Sequence, residues 1–249
     1  MFLEMNFNSA ELGRQTQIYI LLPDKSDTPC KTLWLLHGLT DNHTAWLRFT
    51  SIERYAAEHR LAVIMPNGDR SWYTDIAYNA NYFSFITKEL PQLCFKTFSQ
   101  LSQKREDNII AGLSMGGYGA LKMAFSCPEQ YGSCISLSGA LDITAKDPDS
   151  NFSEWKSIFG YEIQDPLELK GSKHDLFALA SNAKSEKKAL PKLYIWCGTG
   201  DDLLVANLSF DRHLSELDIP HKFEVSEGEH SWKWWDKQIQ GALDWILKI

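Results

Sequence analysis

The segment Ile109-Ile-Ala-Gly-Leu-Ser-Met-Gly-Gly-Tyr-Gly-Ala120 decides the fold of this chain. It begins with a short apolar run typical of a buried strand, and residues from Met115 onward are predicted to form a helix. The junction between the two carries Gly112-Leu-Ser114-Met-Gly116, a G-x-S-x-G pattern. A serine on such a sharp strand-to-helix turn projects its hydroxyl above the sheet, so we predict that Ser114 is a nucleophile.

The glycines that follow support this interpretation. Gly116, Gly117 and Gly119 fall in the first turns of the predicted helix, where each costs about 1 kcal/mol relative to alanine. Close packing of the helix against neighbouring strands would compensate for that cost. The alternative is an accidental glycine-rich junction, and the features described below argue against it.

Strands and helices alternate from Thr32 to the end of the chain. Thr32–Leu36 and Leu61–Met65 are continuous apolar runs, as expected for strands buried on both faces of a sheet. The last helix is predicted from an apolar stripe at steps of three and four residues: Trp232, Trp235, Ile239, Ala242, Ile246 and Ile249. This order predicts an α/β fold, with a mostly parallel central sheet flanked by helices on both faces.

The length of 249 residues predicts one domain, because α/β folds of this size often form a single unit. Residues 141–190 are polar, with scattered aromatics and no clear periodicity. We interpret them as an irregular, cap-like insertion over a site, since long loops in compact domains usually have a function. Its charged residues argue against an apolar lid of the kind that meets lipid: Lys146, Asp147, Asp149, Lys184, Glu186, Lys187 and Lys188.

Composition argues against several classes of protein. A net charge of −7 and a pI near 5.5 disfavour a nucleic-acid partner. The acidic N-terminal region does not resemble a signal peptide, and no apolar run is long enough for a membrane span, so we expect a cytoplasmic protein. The five cysteines lack CxxC spacing and the histidines lack ligand spacing, so we expect buried free thiols and no metal or disulfide framework.

The base and the acid of a serine site should follow the nucleophile along the chain, the acid first. His174, His213, His221 and His230 lie after Ser114, and only His230 falls in a loop between the last predicted strand and the last helix. The carboxyl ends of strands are where α/β sheets place their chemistry, so we predict His230 as the base. The acid is one of an adjacent pair, Asp201 or Asp202, and spacing alone barely separates them.

An acyl-transfer site also needs backbone donors for the developing oxyanion. Met115, directly after the nucleophile, should supply one N–H group. The second should come from the loop Leu36-His-Gly-Leu-Thr40, where Gly38 allows close approach and Leu39 supplies the donor. We interpret His37 in this loop as a structural hydrogen-bonding residue.

With these residues in place, the chain resembles the tributyrin esterase branch of the esterase D family, which includes S-formylglutathione hydrolases. The matching segments span nearly the whole chain in the same order: Leu36–Leu39, Ser71–Asp75, Glu89–Pro91, Gly112–Leu121, Cys197–Asp201 and Gly228–Trp232. The resemblance implies an α/β-hydrolase fold, hydrolysis of short-chain acyl esters through an acyl-serine, no cofactor and frequent oligomers. It also implies that Asp201 is the acid.

The chain departs from the family pattern at three positions. Gly200 and Asp202 replace an acidic or bulky residue and an aromatic one, which bears on the choice of acid. Leu113 precedes the serine, where S-formylglutathione hydrolases more often have histidine. That favours the tributyrin esterase branch over glutathione thioester hydrolysis.

Three aromatic residues, Trp72, Tyr73 and Tyr82, are predicted to line the substrate pocket. The alternative enzymes are an S-formylglutathione-type thioesterase, a sugar acetyl or feruloyl esterase, and an acyltransferase. A non-catalytic hydrolase-fold binding protein would be expected to lack a triad member, and none is missing here. Cysteine catalysis is disfavoured because no cysteine lies on a comparable turn.

Overall fold

A computed structural model describes residues 1–77, 80–145 and 152–247 of the chain. Within these ranges, one sheet contains β1 (Phe2–Ser9), β2 (Arg14–Leu21), β3 (Thr32–Leu36), β4 (Ala62–Pro66), β5 (Asn108–Leu113), β6 (Ser133–Leu137), β7 (Lys192–Gly198) and β8 (His221–Ser226). The α-helices of the same ranges are α1 (Ala45–Phe49), α2 (Ile52–Glu58), α3 (Tyr82–Ser84), α4 (Leu90–Thr97), α5 (Met115–Ser126), α6 (Phe152–Phe159), α7 (Leu176–Ser185), α8 (Leu204–Glu216) and α9 (Trp232–Leu247).

The sheet has the strand order β1-β2-β4-β3-β5-β6-β7-β8. β1 pairs with β2, and β2 with β4, in antiparallel fashion, whereas the six strands from β4 to β8 pair in parallel. The mostly parallel sheet predicted from the sequence is therefore confirmed. Parallel pairing brings the carboxyl ends of β3, β5, β6, β7 and β8 to one edge, where the predicted nucleophile, base, acid and oxyanion donors follow β5, β8, β7 and, for the donors, β3 and β5.

Each face of the sheet is covered by helices around its own apolar cluster. Successive residues of β3 alternate between the two clusters, Leu33 on one face and Trp34 on the other. The predicted stripe of the last helix is confirmed, with Trp235, Ile239, Ala242 and Ile246 buried and Trp232 partly buried at its start. Ile249 lies outside the described residues.

The sequence around Pro91 predicts one helix over residues 81–102 with a break at this proline, and the structure differs in detail. The helical stretch ends at Thr97, and its irregularity precedes the proline, where Phe85–Glu89 is π-helical. A proline lacks a backbone N–H, and its ring clashes with the carbonyl four residues earlier. That carbonyl belongs to Thr87, inside the π-helical turn, whose wider backbone accommodates the ring without ending the helix.

The described part of residues 141–190 is not irregular, which corrects the prediction. It contains α6, a 3₁₀ turn at Pro166–Leu169, and α7. α7 buries Leu176, Ala180 and Ala183, whose spacing of four and three residues is that of a helix, and it packs against α5. Lys146, Asp147 and Asp149 lie outside the described residues. A role of the segment as a cap stays a prediction.

α5 lies unusually close to the strand ends, and its glycines are the reason. A Cβ atom at Gly116 would come within 2.5 Å of the Leu36 carbonyl oxygen and 2.7 Å of the His37 carbonyl oxygen. A Cβ at Gly119 would meet the Tyr73 ring at 2.5 Å. As predicted, glycine at these positions allows α5 to pack closely against its neighbours, and this packing compensates for the low helix propensity of glycine.

We expect Gly116→Ala to lower the free energy of unfolding by about 3 kcal/mol, because backbone atoms of β3 must shift to admit the methyl group. Gly241→Ala in α9 is the matched control: its Cβ would meet nothing within 4 Å, and alanine should stabilise that helix by up to about 1 kcal/mol. Urea unfolding with unchanged m-values measures both changes. A Gly116→Ala protein as stable as the wild type would contradict the close packing.

Candidate active site

Ser114 occupies the turn between β5 and α5 in a strained backbone conformation, with φ 52° and ψ −119°. Its N–H donates to the Leu137 carbonyl at 3.0 Å, and its own carbonyl accepts from Tyr118 and Ala140 at 3.1 Å each. A non-glycine residue in this region costs about 1–3 kcal/mol, and such strain persists only where the surroundings over-determine it. The turn is tight enough that a Cβ on Gly112 would lie 2.3 Å from the Gly116 carbonyl oxygen.

The structure brings together three of the side chains predicted from the sequence. Ser114 Oγ lies 3.0 Å from His230 Nε2, across 116 residues of sequence. His230 Nδ1 lies 3.0 Å from Asp201 Oδ2 and 3.1 Å from Oδ1. The three follow β5, β7 and β8 at one edge of the sheet, and they form a continuous chain of hydrogen bonds from carboxylate to hydroxyl.

The loops that carry Asp201 and His230 are joined by their backbones. The Thr199 N–H donates to the Ser226 carbonyl at 2.9 Å, and the Gly200 N–H donates to the Gly228 carbonyl at 2.7 Å. The two loops approach so closely that a Cβ on Gly198 would lie 2.4 Å from Gly228. The separation of the carboxylate from the imidazole is thus determined by backbone contacts.

The adjacent aspartates have different environments. Asp201 is buried and also accepts from the Leu203 N–H at 2.9 Å, whereas Asp202 is exposed. Burial acts to raise the pKa of Asp201, but the donor groups around it, first His230 and then Ser138 and Leu203, outweigh burial and hold this pKa below its ordinary value. Asp201 is therefore an ionised carboxylate in contact with the imidazole, and Asp202 takes no part in the hydrogen bonds that link Asp201, His230 and Ser114.

Two further residues contact the triad side chains, Ser138 beside Asp201 and Trp235 beside His230. The sequence did not indicate a role in the site for either residue. Ser138, directly after β6, accepts a hydrogen bond from Trp235 Nε1 at 3.1 Å and neighbours the Asp201 carboxylate. The Trp235 ring meets the His230 ring edge to face, with centroids 4.9 Å apart. Trp235 belongs to the core stripe of α9, so periodicity identifies it as a core residue only. The position of Ser138 at a strand's carboxyl end was the available signal.

The backbone N–H groups of Leu39 and Met115 remain available as donors. Neither has a hydrogen-bond acceptor among the residues that the structure describes. The Met115 N–H starts α5, where the helix dipole favours negative charge. The Leu39 loop presses on the nucleophile, since a Cβ on Gly38 would lie 3.7 Å from Ser114 Cβ and 2.8 Å from Leu113 Cδ1.

His37 is a hydrogen-bonding residue of this loop, as predicted. It is buried, its Nδ1 lies 2.7 Å from the Gly38 carbonyl oxygen, and its Nε2 accepts from the Gly68 N–H at 2.8 Å. These contacts require the neutral ring with its proton on Nδ1. Burial lowers the pKa of His37 to about 4, so the ring is neutral near pH 7.

The aromatic residues predicted to line a pocket differ in accessibility. Tyr73 is fully enclosed, and its hydroxyl donates to the His37 carbonyl at 3.0 Å. Tyr82 is 2% exposed, and its hydroxyl contacts Arg14 and Asp69. Neither ring offers surface to a substrate, which corrects the prediction for both. Tyr73 instead supports the Leu39 loop.

Trp72 is only partly buried and keeps accessible surface. Like Tyr73 it has a positive φ, 51° for Trp72 and 46° for Tyr73. The Trp72 ring packs against Tyr118 at 5.7 Å and against Trp155 of α6 at 5.3 Å. Tyr118 also contacts the Ser114 backbone, so Trp72 is linked to the nucleophile turn through one residue.

The described residues give less support to a cysteine nucleophile or a metal site. Burial, together with neighbouring Asp201, raises the pKa of the Cys197 thiol to about 12, so it is not a thiolate nucleophile. No group of three metal-ligating side chains is assembled within the described ranges. In the same ranges, no helix is both long and apolar enough to cross a membrane.

Comparisons with known proteins agree that the chain is similar to esterases and serine hydrolases. A family model described as a putative esterase matches residues 9–246. An acetyl esterase from Caldicellulosiruptor saccharolyticus is 33% identical over 266 aligned positions, covering 99% of this chain and 98% of that protein. The structure is similar to substrate-bound FphF, a fluorophosphonate-binding serine hydrolase of Staphylococcus aureus, with TM-score 0.93, 37% identity, and coverage of 100% and 99%.

A second Staphylococcus aureus structure, the S-formylglutathione hydrolase FrmB as apoenzyme, has TM-score 0.88 and 36% identity, with coverage of 100% and 99%. These structural neighbours are serine hydrolases of the α/β-hydrolase fold. The chain described here has the same fold.

We expect His37 to stay neutral well below the ordinary histidine range. Its folded-state pKa of about 4 lies below the value of 6.5 in the unfolded chain, so His37 contributes stability above about pH 6.5 that is lost as the pH falls toward 4. Two-dimensional ¹⁵N NMR of the imidazole nitrogens should show the Nδ1–H tautomer without titration above pH 5. A titration midpoint near 6.5 would contradict the buried hydrogen-bonding role.

Proposed function

The chain belongs to the putative-esterase family and is a carboxylic ester hydrolase, and from this premise we propose that it cleaves short-chain acyl esters with Ser114, His230 and Asp201 as its triad. The observation that carries the proposal is the 3.0 Å contact of Ser114 Oγ with His230 Nε2 on a strained strand-to-helix turn. A hydroxyl in this contact has a base in line to remove its proton as it attacks.

In the first step, Ser114 Oγ attacks the ester carbonyl carbon, and its proton passes to His230 Nε2. This requires an unprotonated Nε2, and therefore the proton of the neutral ring on Nδ1. The Asp201 carboxylate accepts that Nδ1–H at 3.0 Å, so it selects the tautomer and stabilises the imidazolium that forms. Ser138 contacts Asp201 and Trp235 packs against His230, so both act as positioning residues.

The tetrahedral intermediate carries its negative charge on the former carbonyl oxygen. We assign the Leu39 and Met115 N–H groups as the donors to that oxygen, on the grounds that both are unpaired among the described residues and flank Ser114. One such donor typically contributes 10²- to 10³-fold to turnover. His37 and Tyr73 hold the Leu39 loop in place, one through the Gly38 carbonyl and the other through the His37 carbonyl.

Collapse of the intermediate breaks the bond between the carbonyl carbon and the alcohol oxygen. His230 gives its proton to the departing alcohol, which leaves the acyl group on Ser114. A water molecule then attacks the acyl-serine with His230 as base again, and the acid leaves as Ser114 regains its proton. No cofactor is needed to balance either half of the reaction.

The preference for short acyl chains is inferred from one relative and from one aromatic side chain that would form a wall of the acyl pocket. The relative is the acetyl esterase, which matches almost end to end. The wall is Trp72, braced between Tyr118 and Trp155 and thus held rigid. A rigid aromatic wall limits the length of chain that fits, because overpacking costs about 1–3 kcal/mol.

A thioester substrate is the second candidate, favoured by the similarity to FrmB. Relative rates decide between the two: an ester enzyme should cleave p-nitrophenyl acetate with a higher kcat/KM than S-formylglutathione. The reverse order, by tenfold or more, would make the thioester the substrate and leave the triad assignment unchanged.

We expect Asp201→Asn to lower kcat by about 10⁴, because the amide NH₂ group can donate to Nδ1 and so favour the wrong imidazole tautomer, and because the neutral amide does not stabilise the imidazolium. Asp202→Asn is the matched control and should change kcat less than twofold, since Asp202 is exposed. Ser114→Ala sets the floor, about 10⁶ below the wild type. Initial rates with p-nitrophenyl acetate compare the three. Reversed effects of the two asparagine variants would make Asp202 the acid.

We expect kcat/KM to be highest for acetyl to butyryl esters and to fall steeply by octanoyl. Each added methylene gains at most about 0.8 kcal/mol until the space is full, and longer chains then meet the braced Trp72 ring. A series of acetyl, butyryl, octanoyl and palmitoyl p-nitrophenyl esters measures this. Trp72→Ala should move the optimum to longer chains. A wild-type maximum at octanoyl or beyond would refute the small pocket.

A further inference from the structure

A lysine is buried in α5 at a position that the proposed mechanism does not use. Lys122 lies eight residues after Ser114, about 12 Å along the helix axis, and is only 3% exposed. It lines a cavity of about 230 Å³ together with Asp75, Phe83, Ser126, Lys173 and His174. A lysine is rarely buried to this degree without an anionic partner.

Within the part of the chain that the structure describes, Lys122 makes its polar contacts with neutral groups. Its Nζ donates to Thr74 Oγ1 and lies 3.3 Å from His174 Nδ1. The rings of Phe83 and Tyr118 lie 5.7 and 5.5 Å from it. Among the described residues, no carboxylate comes within 4.0 Å of the ammonium group.

The carboxylate that the described residues contribute to the cavity wall already accepts two hydrogen bonds. Asp75 accepts from the Ser84 N–H and from Ser84 Oγ, each at 2.9 Å. An unpaired buried ion costs several kcal/mol, so a site with this composition gains from an added anion. Lys173, exposed at the same cavity, adds a second positive charge.

The protonation states agree with an excess of unbalanced positive charge. Burial lowers the pKa of Lys122 to about 7, with Asp75 raising it and Lys173 lowering it further. Burial, Lys122 and Lys173 together lower the pKa of His174 to about 3, so His174 is neutral and its Nδ1 can accept from the ammonium group. Near pH 7 the cavity therefore holds a lysine that takes up a proton readily when an anion approaches.

We propose that the cavity beside Lys122 binds a small monocarboxylate with a short apolar tail, its carboxylate on the Lys122 ammonium group and its tail against Phe83. A volume of about 230 Å³ accommodates an anion of this size. A monoanion is favoured over a dianion because the Asp75 carboxylate belongs to the same wall. None of the described residues that line the cavity belongs to the proposed triad.

Thermal unfolding with sodium butyrate, against sodium chloride at equal ionic strength, tests the proposal. We expect a saturable rise in Tm for the wild type and for Lys96→Met, which removes an exposed lysine at the end of α4. Lys122→Met should show no rise. It keeps the side-chain volume and removes a buried charge, so we expect it to fold at least as stably as the wild type without butyrate.

Calorimetry of butyrate binding supplies a readout that does not depend on a folded Lys122 variant. Binding at pH 8 should take up close to one proton, because the bound carboxylate raises the pKa of Lys122, and titrations in two buffers of different ionisation enthalpy measure that uptake. The affinity should fall by up to about tenfold for each pH unit above about 7. Ser114→Ala should bind butyrate as the wild type does, which shows that binding does not need the serine hydroxyl, while Lys122→Met separates this site from the acyl pocket.

Three results would overturn the proposal: an equal Tm rise in Lys122→Met, no saturable binding by the wild type, or binding without proton uptake. Inorganic phosphate is the comparison ligand. Stabilisation by phosphate that exceeds that by butyrate, and that requires Lys122, would assign the cavity to a phosphate group and refute the monocarboxylate.

Discussion

The close contact between the start of α5 and the ends of β3 and β5 governs the geometry of the site. There is no room for a side chain at Gly112 or Gly116, where a Cβ would come within 2.3–2.5 Å of backbone oxygens. The same approach forces the positive φ of Ser114 and presses the Leu39 loop against it. One packing constraint therefore places the nucleophile and both proposed oxyanion donors together, at the cost of local strain.

A second backbone contact, between the loops after β7 and β8, complements the first. Hydrogen bonds of 2.9 and 2.7 Å join these loops, so the carboxylate and the imidazole they carry are held at a separation that side-chain motion hardly changes. The Trp235 ring packs against one side of the His230 imidazole, and its indole N–H donates to Ser138 Oγ. Groups held in this way need little reorganisation when charge develops, which is the usual source of electrostatic catalysis.

Two buried ions in this chain illustrate opposite solutions to one physical problem. Asp201 is surrounded by donors, and they hold its pKa low in spite of burial. Lys122 has only neutral acceptors among the described residues, and its pKa falls to about 7. A buried charge must be paired, hydrogen-bonded or neutralised. The carboxylate is satisfied within the protein, whereas the ammonium group leaves capacity for a ligand.

The sequence by itself determined the parallel sheet, the place of Ser114 at a strand-helix junction, the loop of His230 and the hydrogen-bonding role of His37. Each follows from local periodicity, turn chemistry or position at a strand end, which neighbouring residues set. Local spacing left the choice between Asp201 and Asp202 open, the family resemblance implied Asp201, and the tertiary structure placed Asp201 against His230. The tertiary structure also enclosed Tyr73 and formed α7 in a segment that looked irregular. It also recruited Trp235, whose spacing shows only a core residue. These features depend on contacts between elements far apart in the chain, and no local pattern encodes which distant surface a side chain will meet.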